Sequence, residues 1–298
     1  MSRPKMTSRS IKETMIAYFF ILPAMLFFVI FVFFPILQGL YTSFFEYTWS
    51  SFSFVGLDNY IRLFHDSVFL KSLKNTVLIV LIAVPIIILF SLIVSLIVYK
   101  LNSASRSIFR AIFYLPVVTG SVAVTVVWRW IYDPYSGVLN YLLLKFNLID
   151  KNIMWLGDSK YALAAIIIIL ITTSVGQPII LYIASLGNIP PSYIEAAEVD
   201  GANAWHVFSK IKWPLLMPTT LYIIVISTIQ SFQIFALIQL LTSGGPNYST
   251  STVMYLVYEK AFKLGQFGYA GSMGVILAIL IGLFSLIQFK FFGKEVNY

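Results

Sequence analysis

Six stretches of this sequence contain no Asp, Glu, Lys or Arg over 18 or more residues, and apolar side chains dominate each of them. They are 14–45, 75–99, 111–128, 161–194, 213–258 and 264–289. A helix needs about 20 mainly apolar residues to cross the hydrocarbon core of a membrane. The longest stretch holds one such helix only, because its second part, 242–252 (TSGGPNYSTST), has the composition of a loop. The sequence therefore predicts six transmembrane helices, at about 16–38, 76–98, 108–131, 161–184, 218–241 and 270–292.

The composition of the whole chain supports this prediction. Hydrophobic residues occupy 59% of the 298 positions and charged residues only 11%, whereas a soluble domain carries about a quarter charged residues. Lipid must therefore be the solvent for most of the chain. We expect a single all-α transmembrane domain over residues 1–298. The first span should remain in the mature protein, because its apolar core, 15–37, is longer than the roughly 7–15 residues of a signal peptide.

Lys and Arg residues near the ends of the spans predict the orientation. If the N-terminus is inside, the cytoplasmic segments carry 11 basic and 5 acidic residues, and the longer outer segments carry 9 basic and 7 acidic residues. The two densest basic clusters, at 3–12 and 100–110, both lie on the cytoplasmic side of this arrangement. We therefore expect both termini in the cytoplasm.

Several functions are disfavoured by what the sequence lacks. The chain has no cysteine and only two histidines, His65 and His206, which lie far apart, so we expect neither a metal centre nor a cofactor. The net charge of +8 comes mainly from the flanks of the spans, which argues against nucleic-acid binding. No Gly-x-x-x-x-Gly-Lys-Ser/Thr phosphate loop is present, so the chain is not expected to hydrolyse ATP itself.

The segment 185–217, between the fourth and fifth spans, holds two short helical patterns. The first follows two prolines, with Ser192 as its expected N-cap, and ends at Gly201. The second covers 203–212 and is expected to end at Pro214.

The charge of the first helical pattern indicates what it contacts. One interpretation is a helix that lies on the inner leaflet, but such helices usually carry Lys or Arg on their polar face. This one carries Glu195, Glu198 and Asp200, next to a membrane surface that is itself negative. The acidic surface is better suited to a basic cleft on another protein.

Residues 189–214 (IPPSYIEAAEVDGANAWHVFSKIKWP) resemble the Glu-Ala-Ala loop of binding-protein-dependent ABC importer permeases. Two further stretches, 55–60 (VGLDNY) and 241–250 (LTSGGPNYST), resemble the shorter, six-span sugar permeases of the maltose and glycerol-phosphate type. One departure from the pattern is Trp213, where Leu is usual. The matching loop residues are Glu195, Ala196, Ala197, Asp200, Gly201, Trp205, Phe208, Ile211 and Pro214.

The resemblance implies the type I ABC importer permease fold, with a cytoplasmic coupling helix in this loop. It also implies three protein partners besides membrane lipid: a homologous second permease subunit, an ABC ATPase dimer and an extracytoplasmic sugar-binding protein. The complex would import a mono- or oligosaccharide, or a related polyol or sugar phosphate, across a bacterial inner (plasma) membrane. This chain would be its multi-pass permease subunit and not an enzyme.

The resemblance also assigns roles in the loop. The residues that it implies for coupling to the ATPase are Glu195, Ala196, Ala197, Asp200, Gly201, Trp205 and Phe208. Glu195 would pair with a basic residue of the ATPase, and Gly201 would permit the sharp bend between the two helices.

Uncharged polar side chains in the spans on either side of the loop are candidates for the substrate pathway. A sugar in an apolar bundle must replace the hydrogen bonds that it loses from water, and the sugar contacts of the family fall at about these depths. The same side chains are equally compatible with hydrogen bonds between helices, and Gln177-Pro178 with either a helix break or a kink. The candidates are Thr172, Thr173, Ser174, Gln177, Ser227, Gln230 and Ser231.

An ion-coupled secondary transporter is the main alternative function. Proton relays use carboxylates or histidines inside the membrane, and none of the six predicted spans contains Asp, Glu or His. A channel would need charged rings or a carbonyl filter, and an intramembrane hydrolase would need a His/Asp pair or metal ligands. The sequence therefore favours the permease.

Overall fold

The computed structural model describes residues 8–293, which are mostly helical. The α-helices are α1 (Ser8–Phe28), α2 (Phe34–Thr42), α3 (Asp58–His65), α4 (Ser67–Tyr99), α5 (Ser103–Val118), α6 (Ser121–Ile131), α7 (Val138–Lys145), α8 (Ala162–Ser174), α9 (Gly176–Gly187), α10 (Pro191–Val199), α11 (Ala204–Val207), α12 (Trp213–Phe232), α13 (Ala236–Leu241), α14 (Val253–Tyr258) and α15 (Phe267–Phe292). Three π-helical segments accompany them, namely Val29–Phe33, Phe208–Lys212 and Glu259–Lys263. An antiparallel hairpin pairs β1 (Phe45–Tyr47) with β2 (Phe52–Phe54).

Within residues 8–293, five helical stretches are long and apolar enough to cross a membrane, and a sixth is present if one sharply bent pair of helices counts as a single span. The prediction of an all-α membrane fold is confirmed. The five stretches are Thr14–Thr42, Ser67–Tyr99, Ala162–Gly187, Ala204–Leu241 and Phe267–Phe292, and the bent pair joins Ser103–Val118 to Ser121–Ile131.

The bent pair corrects the third predicted span, 108–131, which is not one continuous helix. The axes of α5 and α6 differ by 100°. Thr119 and Gly120 cause this bend, because their ψ angles of 127° and 143° are extended rather than helical. Pro116 lies in the last turn of α5 and has no N–H to continue the helical hydrogen bonds.

The second span is longer than predicted, because α4 begins well before residue 76. Its start is fixed by Asp66, whose side chain accepts hydrogen bonds from the N–H groups of Val68 (2.8 Å) and Phe69 (3.2 Å). The hydroxyl of Tyr269 donates to the other carboxylate oxygen at 2.8 Å. Burial raises the pKa of Asp66, but the hydrogen bonds from Tyr269, Phe69 and Val68 outweigh it and leave the pKa below its ordinary value. A hydropathy profile does not detect such a cap, because it responds only to the apolar part of the helix.

α4 is the central helix of the bundle and packs against α8, α9 and α12. Its contacts fall into two clusters of buried apolar side chains. The larger cluster surrounds Ile79, Ala83 and Ile87 of α4. The smaller one, here called the lower core, consists of Leu92, Tyr182, Leu186, Ile189, Leu216 and Ile223.

Two boundaries in the segment 185–217 differ from the prediction. α10 begins at Pro191, so that Ser192 lies inside the helix and is not its N-cap. Pro214 does not end the second helix, because α11 continues into α12 through the π-helical segment Phe208–Lys212. The N–H of Trp213 bonds to the carbonyl oxygen of Phe208, five residues back. This wider turn accommodates the proline ring, which would otherwise clash with the preceding turn of an α-helix.

Candidate functional site: a docking loop and a polar cleft

The segment 189–212, here called the docking loop, presents the outer side of α10 to solvent. Glu195 is exposed, and Tyr193 and Val199 nearby are 55% and 88% exposed. On the opposite side of the helix, Ile194 packs against the lower core. Val199 lies four residues after Glu195 and so shares its helical face, and an exposed aliphatic side chain beside a carboxylate forms a surface suited to another protein.

Gly201 makes the turn that ends α10. Its φ is +81°, a left-handed conformation that glycine adopts without steric cost. The N–H of Gly201 bonds to the carbonyl of Glu198 (3.1 Å), and the N–H of Ala202 bonds to the carbonyl of Ala197 (2.9 Å). These two bonds form a Schellman motif, which satisfies the terminal carbonyl groups of the helix. The docking loop is therefore a defined bend, as the resemblance implied for Gly201.

The second helix of the docking loop is held against the bundle by Phe208, which packs with Trp213 on the lower core. Trp205 lies beside it, with ring centroids 5.8 Å apart, and is 68% exposed. Asn203 caps α11 by accepting a hydrogen bond from the N–H of His206 at 2.9 Å.

The seven residues predicted for ATPase coupling thus fall into two groups. Ala197 is partly exposed, and Phe208 is half-buried and anchors the loop to the bundle. The other five lie exposed on the docking loop: Glu195, Ala196, Asp200, Gly201 and Trp205.

A cleft of about 230 Å³ is lined by residues of α5, α6, α8, α9, α12 and α13. Four of the predicted pathway residues line it, and none of the described residues that line it is charged. These four are Thr173, Ser174, Gln177 and Gln230. We call this space the polar cleft.

The two glutamines have free hydrogen-bonding capacity. Within the described range, neither Gln177 nor Gln230 has a side-chain hydrogen-bond partner, and Gln230 is exposed in this single chain. Each amide offers two donors and a carbonyl acceptor. The hydroxyl of Thr173, by contrast, already donates to the carbonyls of Ile169 and Leu170 in its own helix.

The other three predicted pathway residues do not line the polar cleft. Thr172 lines the adjoining space next to Trp128. Ser227 and Ser231 are buried, with 6% and 1% exposure, on the packed side of α12. A contact of these three residues with substrate stays a prediction.

The polar cleft also contains residues that the sequence reasoning missed. Thr119 and Ser121 line it from the bend between α5 and α6. The sequence pattern that could have located them is the pair Pro116 and Gly120 inside a predicted span, because these two residues indicate an interruption of the helix.

Close packing at Gly176 fixes the edge of the polar cleft. Gly176 is the first residue of α9 and follows a one-residue interruption at Val175. A Cβ atom at Gly176 would overlap the carbonyl oxygen of Phe113 in α5 and lie 2.9 Å from a methyl group of Val117. α5 and α9 can therefore approach this closely only because the residue is glycine.

Comparison with known proteins decides the family. Residues 64–298 match the family model described as the binding-protein-dependent transport system inner membrane component. This chain belongs to that family. It is therefore a transport permease component, and it has the type I importer permease fold, as the resemblance predicted.

Relatives of this permease include two curated proteins. The probable ABC transporter permease protein YurN of Bacillus subtilis is 35% identical over 291 residues, covering 95% of this chain and 99% of the relative. The lactose transport system permease protein LacF of Rhizobium radiobacter is 32% identical over 275 residues, covering 91% and 92%.

A bacterial ABC transporter involved in the import of the acidic polysaccharide alginate has a similar structure. Its matching chain is 24% identical, with a TM-score of 0.84 and coverage of 97% of this chain and 99% of that chain. In the complex of the alginate transporter with an alginate pentasaccharide-bound periplasmic protein, the matching chain is 26% identical, with a TM-score of 0.79 and coverage of 94% of both chains.

Gly176→Ala tests whether the permease needs the close approach of α5 and α9. Because the added methyl group meets main-chain atoms that cannot rotate away, we expect a loss of about 1–3 kcal/mol of stability and a lower rate of uptake. The loss of stability is measured by thermal unfolding of the purified protein, with size-exclusion chromatography as the detection method. Gly187→Ala is the matched control, since its Cβ would lie 3.9 Å from the ring of Tyr99, an ordinary contact. Equal unfolding temperatures for the two variants would contradict the packing argument.

Proposed function

We propose that this chain is one of two permease subunits of a sugar importer that uses ATP hydrolysed by a separate ATPase. The observation that carries the proposal is the acidic, exposed surface of α10, held in a fixed bend outside the membrane spans. A helix that only rested on anionic lipid would not present Glu195 and Asp200 in this way. The surface is complementary to a basic groove, and the resemblance implies such a groove on an ATPase dimer.

The chain path supports a mechanical link between the docking loop and the polar cleft. On one side, the loop follows directly after α9, which carries Gln177. On the other side, it continues into the stretch Ala204–Leu241, which carries Gln230. A tilt of the loop, driven by the ATPase, would therefore move both glutamines relative to each other and open or close the cleft around a substrate.

The chemistry of the polar cleft favours a neutral saccharide or polyol as substrate. Its polar side chains are hydroxyls and amides, which can donate to and accept from sugar hydroxyl groups. Lactose, the named substrate of one relative, is a neutral saccharide. We infer that an extracytoplasmic binding protein delivers the sugar and that a second permease subunit completes the pathway. The complex of the alginate transporter with a periplasmic protein supports the first of these partners.

The proposed direction of transport requires the docking loop to lie in the cytoplasm of a bacterial inner (plasma) membrane. Since the chain has no cysteine, single cysteines can be labelled without background. We expect Val199→Cys to react with an impermeant maleimide only in inverted vesicles, and Ser50→Cys, in the hairpin turn, only in intact cells or spheroplasts. Labelling of Val199→Cys from outside would refute the orientation.

Removal of the Glu195 carboxylate should uncouple the permease from its ATPase. A charge-assisted hydrogen bond contributes about 1.5–3 kcal/mol, so we expect Glu195→Ala to lower ATPase co-purification and uptake about tenfold or more. Gly201→Val should act similarly, because a β-branched residue is strained at a φ of +81°. The matched control is Asp150→Ala, which removes an exposed carboxylate far along the chain from the docking loop. Normal uptake by both loop variants at normal protein levels would exclude the docking function.

Loss of the two amides in the polar cleft should impair sugar uptake without abolishing ATPase coupling. Each lost hydrogen bond is worth about 1 kcal/mol, which is about fivefold in rate. We therefore expect Gln177→Leu with Gln230→Leu to reduce uptake about 25-fold. ATP hydrolysis stimulated by the loaded binding protein should persist. Gln38→Leu, on the exposed surface of α2, controls for the loss of a glutamine elsewhere. If the double variant transports at the wild-type rate over the whole concentration range, the substrate site lies outside the cleft.

A further inference from the structure

A groove of about 700 Å³ separates the docking loop from the end of α4, on the side of the loop away from Glu195 and Val199. Leu96 and Ile97 of α4 line it on one side, and Val207 and Phe208 of the docking loop line it on the other. Ile97 is 60% exposed, so that the groove is continuous with the outer surface of the bundle. Its walls are therefore apolar, although it lies at the end of a membrane span.

Three charged side chains line the same groove: Lys100, Lys212 and Glu198. Together these three side chains carry a net charge of +1. In the described portion of the chain, none of the three has a hydrogen-bond or ion-pair partner. Two unpaired ammonium groups beside an apolar groove match a ligand with an anionic head and a hydrocarbon tail.

The turn that carries Lys100 is held in place by Arg106. Its guanidinium donates to the carbonyl oxygens of Tyr99 and Leu101, the two neighbours of Lys100, and lies 4.6 Å from the centre of the Tyr99 ring. Lys100 is thus positioned on a fixed turn, and a third basic group lies next to it.

We propose that this groove binds one anionic phospholipid of the inner leaflet. The phosphate lies between Lys100 and Lys212, and one acyl chain follows Leu96 and Ile97 along α4 into the bilayer. The lipid then contacts both α4 and the docking loop and stabilises the position from which the loop meets its partner. The assignment to the inner leaflet rests on the orientation proposed above.

Native mass spectrometry of the purified transporter in detergent, titrated with phosphatidylglycerol or phosphatidylcholine, tests the proposal. We expect the wild type to retain phosphatidylglycerol in preference to phosphatidylcholine. Each lysine near an anionic lipid contributes about fivefold in affinity, so Lys100→Gln with Lys212→Gln should weaken phosphatidylglycerol retention by about 25-fold. Lys210→Gln is the matched control: Lys210 lies in the same π-helical segment as Lys212 but is exposed and does not line the groove.

Three outcomes would overturn the proposal: equal retention of the two lipids by the wild type, unchanged retention by the double variant, or an equal loss in Lys210→Gln. Competition by inorganic phosphate alone would also overturn it, because the groove would then be a site for a soluble anion. The measurement needs neither ATP nor sugar, and Glu195→Ala should retain phosphatidylglycerol like the wild type. A failure of the lipid site can therefore be distinguished from a failure of the proposed transport function.

Discussion

Inside a bilayer, the main chain of this protein has to satisfy its own hydrogen bonds, and the rest of the structure depends on this constraint. Hydrocarbon offers no partner to an N–H or C=O group, so a crossing segment must be helical unless the irregular backbone lies against protein or a water-filled space. The interruptions in this chain obey the second condition. The bend at Thr119 and Gly120 and the break at Val175 both border the polar cleft. The hydroxyl of Ser91 in α4 donates to the carbonyl of Val175 at 3.4 Å, which supplies a partner at the break.

The same constraint explains which parts of the fold could be predicted from sequence. Runs without charge locate the spans because they report directly on the thickness of the hydrocarbon core. They do not report helix ends outside it, so the cap at Asp66 and the early start of α4 were missed. Runs without charge also do not show which helical geometry the backbone adopts at a proline. The π-helical turn before Pro214 keeps the helix continuous, as a second one does before Pro35.

The candidate site was predictable to different degrees in its two parts. The bend at Gly201 follows from local chemistry, since proline before and glycine after a short helix fix its ends, and the structure has the expected positive φ there. The polar cleft depends on tertiary packing instead. Ser227, Gln230 and Ser231 share one helical face by their spacing, yet the two serines are buried in the packed core and Gln230 reaches the cleft. Spacing along one helix cannot separate these cases, because they depend on which neighbouring helices pack against each part of α12.

The docking loop is held against the lower core by buried contacts and is exposed on two sides, and this arrangement suits a coupling element. Ile194 and Phe208 tie both of its helices to the lower core, which also contains Leu92 of α4. The loop therefore cannot move independently of the helices that line the polar cleft. Its outer side is acidic and faces away from the bundle, whereas its inner side borders an apolar groove with two lysines. The inner side borders α4 and the lower core, so that, under the proposed function, a force applied to the outer side would reach α9 and α12 as a tilt of whole helices rather than as a local distortion of the loop.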